Sequence, residues 1–528
     1  MKGQYFTKYK FQNGFATLEM VIAFAILSLA LSAVIFVVFG NQSTGLSSEM
    51  SAKALYKVQK LIEDARASRS HQNFLDVVSI PPASDSYDIF TSEIKVLDLS
   101  RCEKRVTGLV TWILEQRPQY ASILTLLADP DEAISVSNEC NIIPPSGDDW
   151  RRPKKLDLNG ISIEGDGRAL DVQDKIIFLV TATAGNNKND FFIIDATDNQ
   201  NPIQRGSLDI SDGLEDIDVA GDYAFIANDE NQDKHQLQIV DISDLDDPNV
   251  VASASLPGAS GSCPYTCPGG RSIYWYKNRV YIGTHRMVAT GAPEFHIFDV
   301  SNPTDPQPLG SKGGTALGDA LDHNINDIMV REQTIGGVTG TYAYLVTSGD
   351  SKEFIILNVT NPSAIPDPAG NISTGSTLNL GNTSANDLDA FSLFVIGNRA
   401  YIGRERATGN NKDFYVVDIS NPGAPTVIGS IKLGLNSNGS EPVTVRGIRV
   451  IGNLAFIGAS DPNDPFQVWD ISNLSNIIRW EFSGCEVNFS TYITDFKVEG
   501  SLIYASMDAK GHNPKIIEPV GGIGGSCN

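Results

Sequence analysis

Tyr415-Val-Val-Asp418-Ile-Ser-Asn-Pro422 is the stretch on which the fold turns. An aromatic and two β-branched residues favour a short strand, and Asp followed by Ser-Asn-Pro punctuates its end. The block recurs as Phe192-Ile-Ile-Asp195-Ala-Thr-Asp, Gln238-Ile-Val-Asp241-Ile-Ser-Asp and His296-Ile-Phe-Asp299-Val-Ser-Asn-Pro303. It returns as Ile355-Ile-Leu-Asn358-Val-Thr-Asn-Pro362, as Gln467-Val-Trp-Asp470-Ile-Ser-Asn, and degenerately as Lys515-Ile-Ile-Glu518-Pro. Upstream of each lies a second block, apolar-x-Val-x-Gly-x-x-Ala/Tyr-aromatic-Ile-Gly. It is clear at Ile217–Ala227, Leu393–Gly403 and Ile448–Gly458. Divergent copies fall at Leu170–Val180, Ile273–Gly283, Ile328–Val346 and Phe496–Ala505.

Seven copies of each block can be counted, and the anchors from Asp195 to Glu518 lie 46, 58, 59, 60, 52 and 48 residues apart. Self-similarity at that period, built from short strands and turn residues, is the pattern of a β-propeller rather than of a helical solenoid. The two-block unit resembles the LVIVD repeat family, and the resemblance implies a seven-bladed propeller. The upstream block is expected to supply the two inner strands of a blade. The Asp-Ile-Ser-Asn-Pro block then supplies the third, ended by an Asx-type turn at its Asp. The segment after each Pro, such as Val427–Lys432, is expected as the outer strand. The seventh copy ends near Val520 without one. Lys155–Ile163, apolar at Leu156, Leu158, Ile161 and Ile163, has no blade of its own. It is expected to complete the seventh blade and remove the open edge.

The N-terminal region carries a different signal. A polar leader with Lys2, Lys8 and Lys10 meets an apolar run from Phe15 to Phe39, and Gly14-Phe15-Ala-Thr-Leu-Glu19 spans the junction. A secretory signal peptide is cut after its apolar region. A cut between Gly14 and Phe15 would instead leave the apolar run on the mature chain. Its one carboxylate, Glu19, costs about 2.5–3.5 kcal/mol inside a membrane helix unless it finds a partner. The run is long enough to span a bilayer, which takes about 20 apolar residues. These features resemble the class III leader of type IV prepilins and pseudopilins. The resemblance implies cleavage of residues 1–14 by a prepilin peptidase and N-methylation of Phe15. It also implies pairing of Glu19 with the Phe15 amino group of a neighbouring subunit. A single-pass membrane precursor would then pass into an extracellular filament.

Beyond Gly40, Leu46, Met50, Ala54, Val58, Leu61 and Ala65 recur at steps of three and four. Glu49, Lys53, Lys57, Lys60, Glu63 and Asp64 fall mostly between them, which is the pattern of an amphipathic helix. One long helix over 15–69 is expected, its outer half packed on a small α+β head over 70–147. Glu93–Leu99, Val106–Trp112 and Ser122–Leu127 read as strands of that head. Residues 148–154 read as a linker and 155–528 as the propeller. The expected fold is therefore mainly β, with one long N-terminal helix, a pilin-like α+β head and a seven-bladed propeller.

All six cysteines lie beyond the apolar run. Six cysteines allow fifteen pairings, of which nearness suggests Cys102 with Cys140 in the head, Cys263 with Cys267 across one loop, and Cys485 with Cys527 near the C-terminus. Structural bridges of this kind suit an extracytoplasmic chain. A net charge of −23 argues against a nucleic-acid partner, whose phosphates need clustered Lys and Arg. The six histidines share no metal-ligand spacing, and no phosphate loop or nucleophile elbow occurs. No cofactor, metal or catalytic residue is assigned. Asp229-Glu-Asn-Gln-Asp233 and Asp461-Pro-Asn-Asp464 offer oxygens at calcium-like intervals but complete no calcium loop, and read as solvated turns.

Aligning the inner-strand entries places Arg168, Glu215, Arg271, Asn326, Arg446 and Thr494 at one mouth of the central channel, beside Asp216, Asp327 and Asp495. These are candidate ligand residues for an anion, a sugar or a cation. In the competing reading, Arg and Asp of neighbouring blades pair to hold the ring. The expected function is that of a non-enzymatic minor pilin displaying the propeller as an adhesion head for a surface glycan or protein. A domain of about 370 residues has a radius of gyration of about 21 Å, whereas helices pack about 8–10 Å apart. So wide a head belongs at a filament tip. The alternatives are the tip of a type II secretion-like pseudopilus and a membrane-anchored propeller enzyme.

Overall fold

The computed structural model describes residues 50–62, 80–83, 89–100, 103–114, 117–128, 149–156, 161, 163, 165–182, 188–211, 213–229, 235–257, 269–285, 293–313, 323–335, 338–349, 352–380, 389–405, 411–435, 439, 442–499, 502–509 and 513–520. The chain divides into two compact units. The first comprises Met1–Arg66, Val77–Asp98 and Lys104–Leu127. The second comprises Ala67–Asp76, Leu99–Glu103 and Ala128–Asn528. The leader, Gly14, Phe15, Glu19 and the apolar run lie outside the described residues, as do Cys102, Cys140, Cys263, Cys267 and Cys527. Among the described residues, no helix is long and apolar enough to cross a membrane.

In the first unit the only described part of the expected 15–69 helix is residues 50–62, and it is helical. Ala54, Val58 and Ile62 are buried, while Leu55 and Tyr56 face outward. This is the three-and-four spacing that one apolar stripe requires. The stripe covers a four-stranded antiparallel sheet in the order β1 (Ile80–Ala83), β2 (Thr91–Ser100), β3 (Glu103–Leu114), β4 (Arg117–Ala128). Val106, Val110 and Trp112 are buried, and Trp112 meets Phe90 edge to face at 5.7 Å. Gly108 allows the close approach of the helix: a Cβ there would lie 3.3 Å from Ile62 Cδ1 and 3.4 Å from Val58 Cγ1. The three expected strands are present and longer than expected. The strand absent from the sequence reading is β1, Ile-Pro-Pro-Ala. Its two prolines are compatible only with an edge, and an edge is where it lies.

The second unit is a ring of seven four-stranded antiparallel sheets. The first blade is Asp166–Gln173, Ile176–Ala182, Phe191–Asp195 and Ile203–Leu208, from the centre outward. Each inner strand packs against those of the blades on either side, and the seventh packs against the first. Seven apolar clusters fill the seven interfaces between blades. Ring stacking between second and third strands recurs at Tyr281–Phe295, Tyr344–Phe354, Tyr401–Phe414 and Phe456–Phe466, with centroids 6.1–6.3 Å apart. The glycine ending the aromatic-Ile-Gly motif has a steric cause. A Cβ on Gly283 would come within 2.5 Å of Ile325 in the next blade, and one on Gly403 would overlap Val445 and Ser392.

The anchor residue ends the third strand in six of the seven repeats, and Glu518 of the seventh is followed by Pro519 in its strand. Asp195, Asp241, Asp299, Asn358, Asp418 and Asp470 each accept the N–H of the residue two positions on, at 2.8–3.0 Å. These are the expected Asx turns. The ring closes through Pro153–Leu156, which pairs antiparallel with Lys515–Pro519 as the outer strand of blade seven; the closing strand begins two residues before the expected Lys155–Ile163 and shares only Lys155 and Leu156 with it.

The linker over 148–154 needs correction. Asp149–Arg151 form a 3-10 turn whose Trp150 is 1% exposed in the core between blades six and seven. Trp150 meets Phe456 edge to face at 4.9 Å, and Arg151 lies 3.8 Å over the Trp480 ring. The outer strand of blade six shrinks to Ile478–Arg479, and Arg151 O accepts the N–H of Phe482 just beyond it. A lone buried Trp among Pro, Gly and charged residues carries no periodicity, so the sequence pattern could not reveal it.

Candidate functional site

Every inner strand of the ring contains one register shift, and all seven fall at the same level. They bracket Arg168, Glu215, Arg271, Asn326, Phe391, Arg446 and Thr494, from blade one to blade seven. A bulge leaves one residue unpaired and re-aims its side chain. Repeated seven times around an axis, it aims seven side chains into one mouth of the channel. Six of the seven are the expected mouth residues. Phe391 was missed because the alignment sought polar groups.

The arginines in this ring have few partners. Arg168 lies 3.9 Å from Glu215, and its side chain is 43% exposed. Arg271 donates to Asn326 Oδ1 at 2.8 Å, and its Nη1 lies 3.4 Å from His285 Nε2. The Arg446 guanidinium stands 5.2 Å from the Phe391 ring and 4.8 Å from Tyr492, with a buried Nε that has no hydrogen-bond partner. Arg271 faces the same Phe391 ring at 5.8 Å. Burial lowers the Arg271 pKa, opposed mainly by Glu215 and Asp229. Burial together with Arg271 and Arg168 holds the His285 pKa down at about 4, so this ring is neutral at physiological pH.

One residue further in, the carboxylates do something else. Asp216 accepts the N–H of Ile217 in its own blade and of Ile273 in the next, both at 2.9 Å. Asp327 does the same with Ile328 and Leu393, both at 2.8 Å. Asp495 accepts Leu170 N across the closing interface at 3.4 Å. Asp171 and Asp218 repeat the device two residues deeper, reaching Val219 N and Trp275 N. These carboxylates therefore staple neighbouring blades through backbone N–H groups, where the sequence reading had them as ligand residues or Arg partners.

Burial raises the Asp327 pKa to about 6, with the Leu393 N–H pulling the other way. The folded state then holds that proton more tightly than the unfolded chain. The proton-linked part of the contribution of Asp327 to stability is complete below about pH 4 and is lost as pH rises through 6. Urea midpoints of the wild type and Asp327→Asn, measured from pH 5 to 7.5, should show the wild type losing ground steadily. A constant or widening wild-type advantage would disprove the assignment.

A second repeated polar position also escaped the sequence reading. The residue just before the first buried apolar residue of the third strand is Asp190, Gln236, Glu294, Glu353 and Asp413 in blades one to five. Asp190 accepts Ile210 N and Ser211 N, Gln236 accepts Leu256 N, Glu353 accepts Leu380 N, and Asp413 accepts Leu433 N, at 2.7–3.1 Å. Each holds the chain as it leaves the outer strand. The column was visible beside the apolar run. Of the calcium-like loops, Asp464 is engaged bidentately by Arg479 at 2.8 and 2.9 Å. Residues 230–234 of the other lie outside the described residues. No group of three metal-binding side chains occurs among the described residues. Cys485 is 2% exposed and disulfide-bonded.

Loop lengths separate the two faces of the ring. Opposite the mouth, every turn between first and second strands has two residues, and five of the six connections from third to outer strand have seven. On the mouth side, connections into the next inner strand range from five to fifteen residues. Variable loops on a rigid scaffold are where binding residues concentrate.

Four segments match the LVIVD repeat model: residues 214–255, 283–311, 389–432 and 444–480. The first, third and fourth each run from the inner to the outer strand of one blade, so repeat and blade share a phase. No curated protein matches the chain. Among solved structures, the computationally designed Ika8 protein is 11% identical with a TM-score of 0.41, covering 69% of this chain and all of its own. The YCF48 protein bound to D1 peptide is 11% identical with a TM-score of 0.40, covering 70% and 97%. A quinonprotein alcohol dehydrogenase-like protein from Bacteroides thetaiotaomicron is 9% identical with a TM-score of 0.35, covering 76% and 94%. The chain thus carries LVIVD repeats, and they fold as a β-propeller.

Proposed function

We propose that this chain is a low-copy, type IV pilin-like surface subunit that presents its propeller as a non-enzymatic binding head at a filament tip. The observation that carries the reading is the helix over 50–62, which buries Ala54, Val58 and Ile62 on a four-stranded sheet. It follows the Gly14-Phe15…Glu19 junction and its apolar run in sequence. A membrane-inserted segment continuing into an amphipathic helix on a small sheet is the build of a pilin spine and head. One long helix over 15–69 is part of this proposal. Its partners would be a prepilin peptidase, the cytoplasmic membrane before assembly, and neighbouring pilin subunits through the N-terminal helix. Bridges such as Cys102–Cys140, Cys263–Cys267 and Cys485–Cys527 would suit the extracellular site. The variable loops of the mouth side supply the face presented to a ligand.

Mass spectrometry of filaments sheared from producing cells tests this directly. The expected peptide begins at N-methylated Phe15, at low ratio to a major pilin. Recovery only of chain beginning at Met1, retained in the membrane fraction, would rule the proposal out.

A further inference from the structure

We propose that the bulge ring at the channel mouth is a site for an acidic sugar, whose carboxylate is received by Arg168, Arg271 and Arg446. The inference deepens the reading of the propeller as a binding head and rests on it. It does not depend on how the N-terminus is processed.

Three guanidinium groups from blades one, three and six converge on one opening because each sits on a bulge. Phe391 links two of them, with Arg271 and Arg446 at 5.8 and 5.2 Å from its ring. Tyr492 lies against Arg446 from blade seven, at 4.8 Å. Arg446 keeps a buried Nε without a partner, which is costly unless something fills it. A planar guanidinium beside an aromatic face suits a carboxylate, which it can bind through two parallel hydrogen bonds.

The surrounding acids narrow the ligand. Glu215 sits 3.9 Å from Arg168, Asp229 sits 3.7 Å from His285, and Asp389 and Asp508 act on Arg271 and Tyr492. A phosphate chain or polysulfate would meet these carboxylates and a chain of net charge −23. A sugar acid has one carboxylate for the arginines and several hydroxyls that can donate to the acids. Apolar sugar faces can lie against Phe391 and Tyr492. His285 stays neutral above about pH 5, so it adds no charge to the mouth over the physiological range.

The test uses the full-length protein in detergent micelles and calorimetric titration with trigalacturonate and with 3′-sialyllactose. Their uncharged counterparts, methyl-esterified trigalacturonate and lactose, serve as references. At least one acidic sugar should bind about tenfold more tightly than its counterpart, the equivalent of about 1.4 kcal/mol. Arg446→Gln should remove that preference, and Arg446→Lys should restore only part of it, since Lys keeps the charge without the fork. Arg168→Gln, at a half-exposed position, should weaken binding without moving the melting temperature, so a folding defect cannot mimic the result. Equal binding of charged and neutral sugars, unchanged binding in Arg168→Gln, or equal displacement by sulfate would overturn the proposal. None of these outcomes touches the Phe15 peptide.

Discussion

Trp150→Ala should lower the stability of the propeller by about 3–5 kcal/mol, the range for removing a fully buried Trp. The residue is 1% exposed, and its indole packs on Phe456 at 4.9 Å and Phe466 at 6.1 Å. The effect should appear as a lower urea midpoint, together with exposure of the chain around Arg151 to protease. Trp150→Phe should lose far less. It keeps an edge-to-face ring and removes an indole N–H that has no partner. An alanine variant as stable as the wild type would return residues 149–152 to the status of a linker.

Glu353→Ala should cost about 3–5 kcal/mol, the range for stranding one member of a buried ion pair. Arg404, 0% exposed, reaches from blade five to Glu353 of blade four, with Nη2–Oε1 at 3.4 Å. The guanidinium also donates to Tyr415 Oη at 3.2 Å and Leu380 O at 3.4 Å, while Glu353 accepts Leu380 N at 3.0 Å. Deleting the carboxylate leaves a buried cation and an unpaired backbone N–H. The double change Glu353→Met with Arg404→Met should recover most of the loss, since a buried pair is often replaceable by apolar groups of similar volume. Comparable urea midpoints for Glu353→Ala and the double variant would contradict this.

Much of the ring was legible because its repeat is local. Asp418 and its equivalents end strands by bonding two residues ahead, and that bond depends on neighbouring residues alone. The closing strand could be deduced by counting, since six outer strands were visible for seven blades. What local pattern could not show was the use of one group by another blade. Asp216 and Asp327 sit where the alignment placed them, but they serve N–H groups 57 and 66 residues away. Phe391 escaped because one apolar residue in a column of Arg, Glu and Asn looks like noise until the bulge that aims it is seen. β1 escaped because its prolines argue against any strand except an edge.

The closing strand also sets an order on synthesis. Pro153 pairs with Pro519, so the outer strand of the last blade is made roughly 360 residues before its partner. Until the chain is nearly finished, that segment waits unpaired and the incomplete ring keeps a raw edge. Joining ends so far apart in sequence costs roughly 5 kcal/mol of chain entropy on a flexible-loop estimate. Six blades already stacked would have lowered that cost before the last strand arrives. A chain that stops short of Lys515 therefore loses more than its final strand: it has no means of becoming a circle.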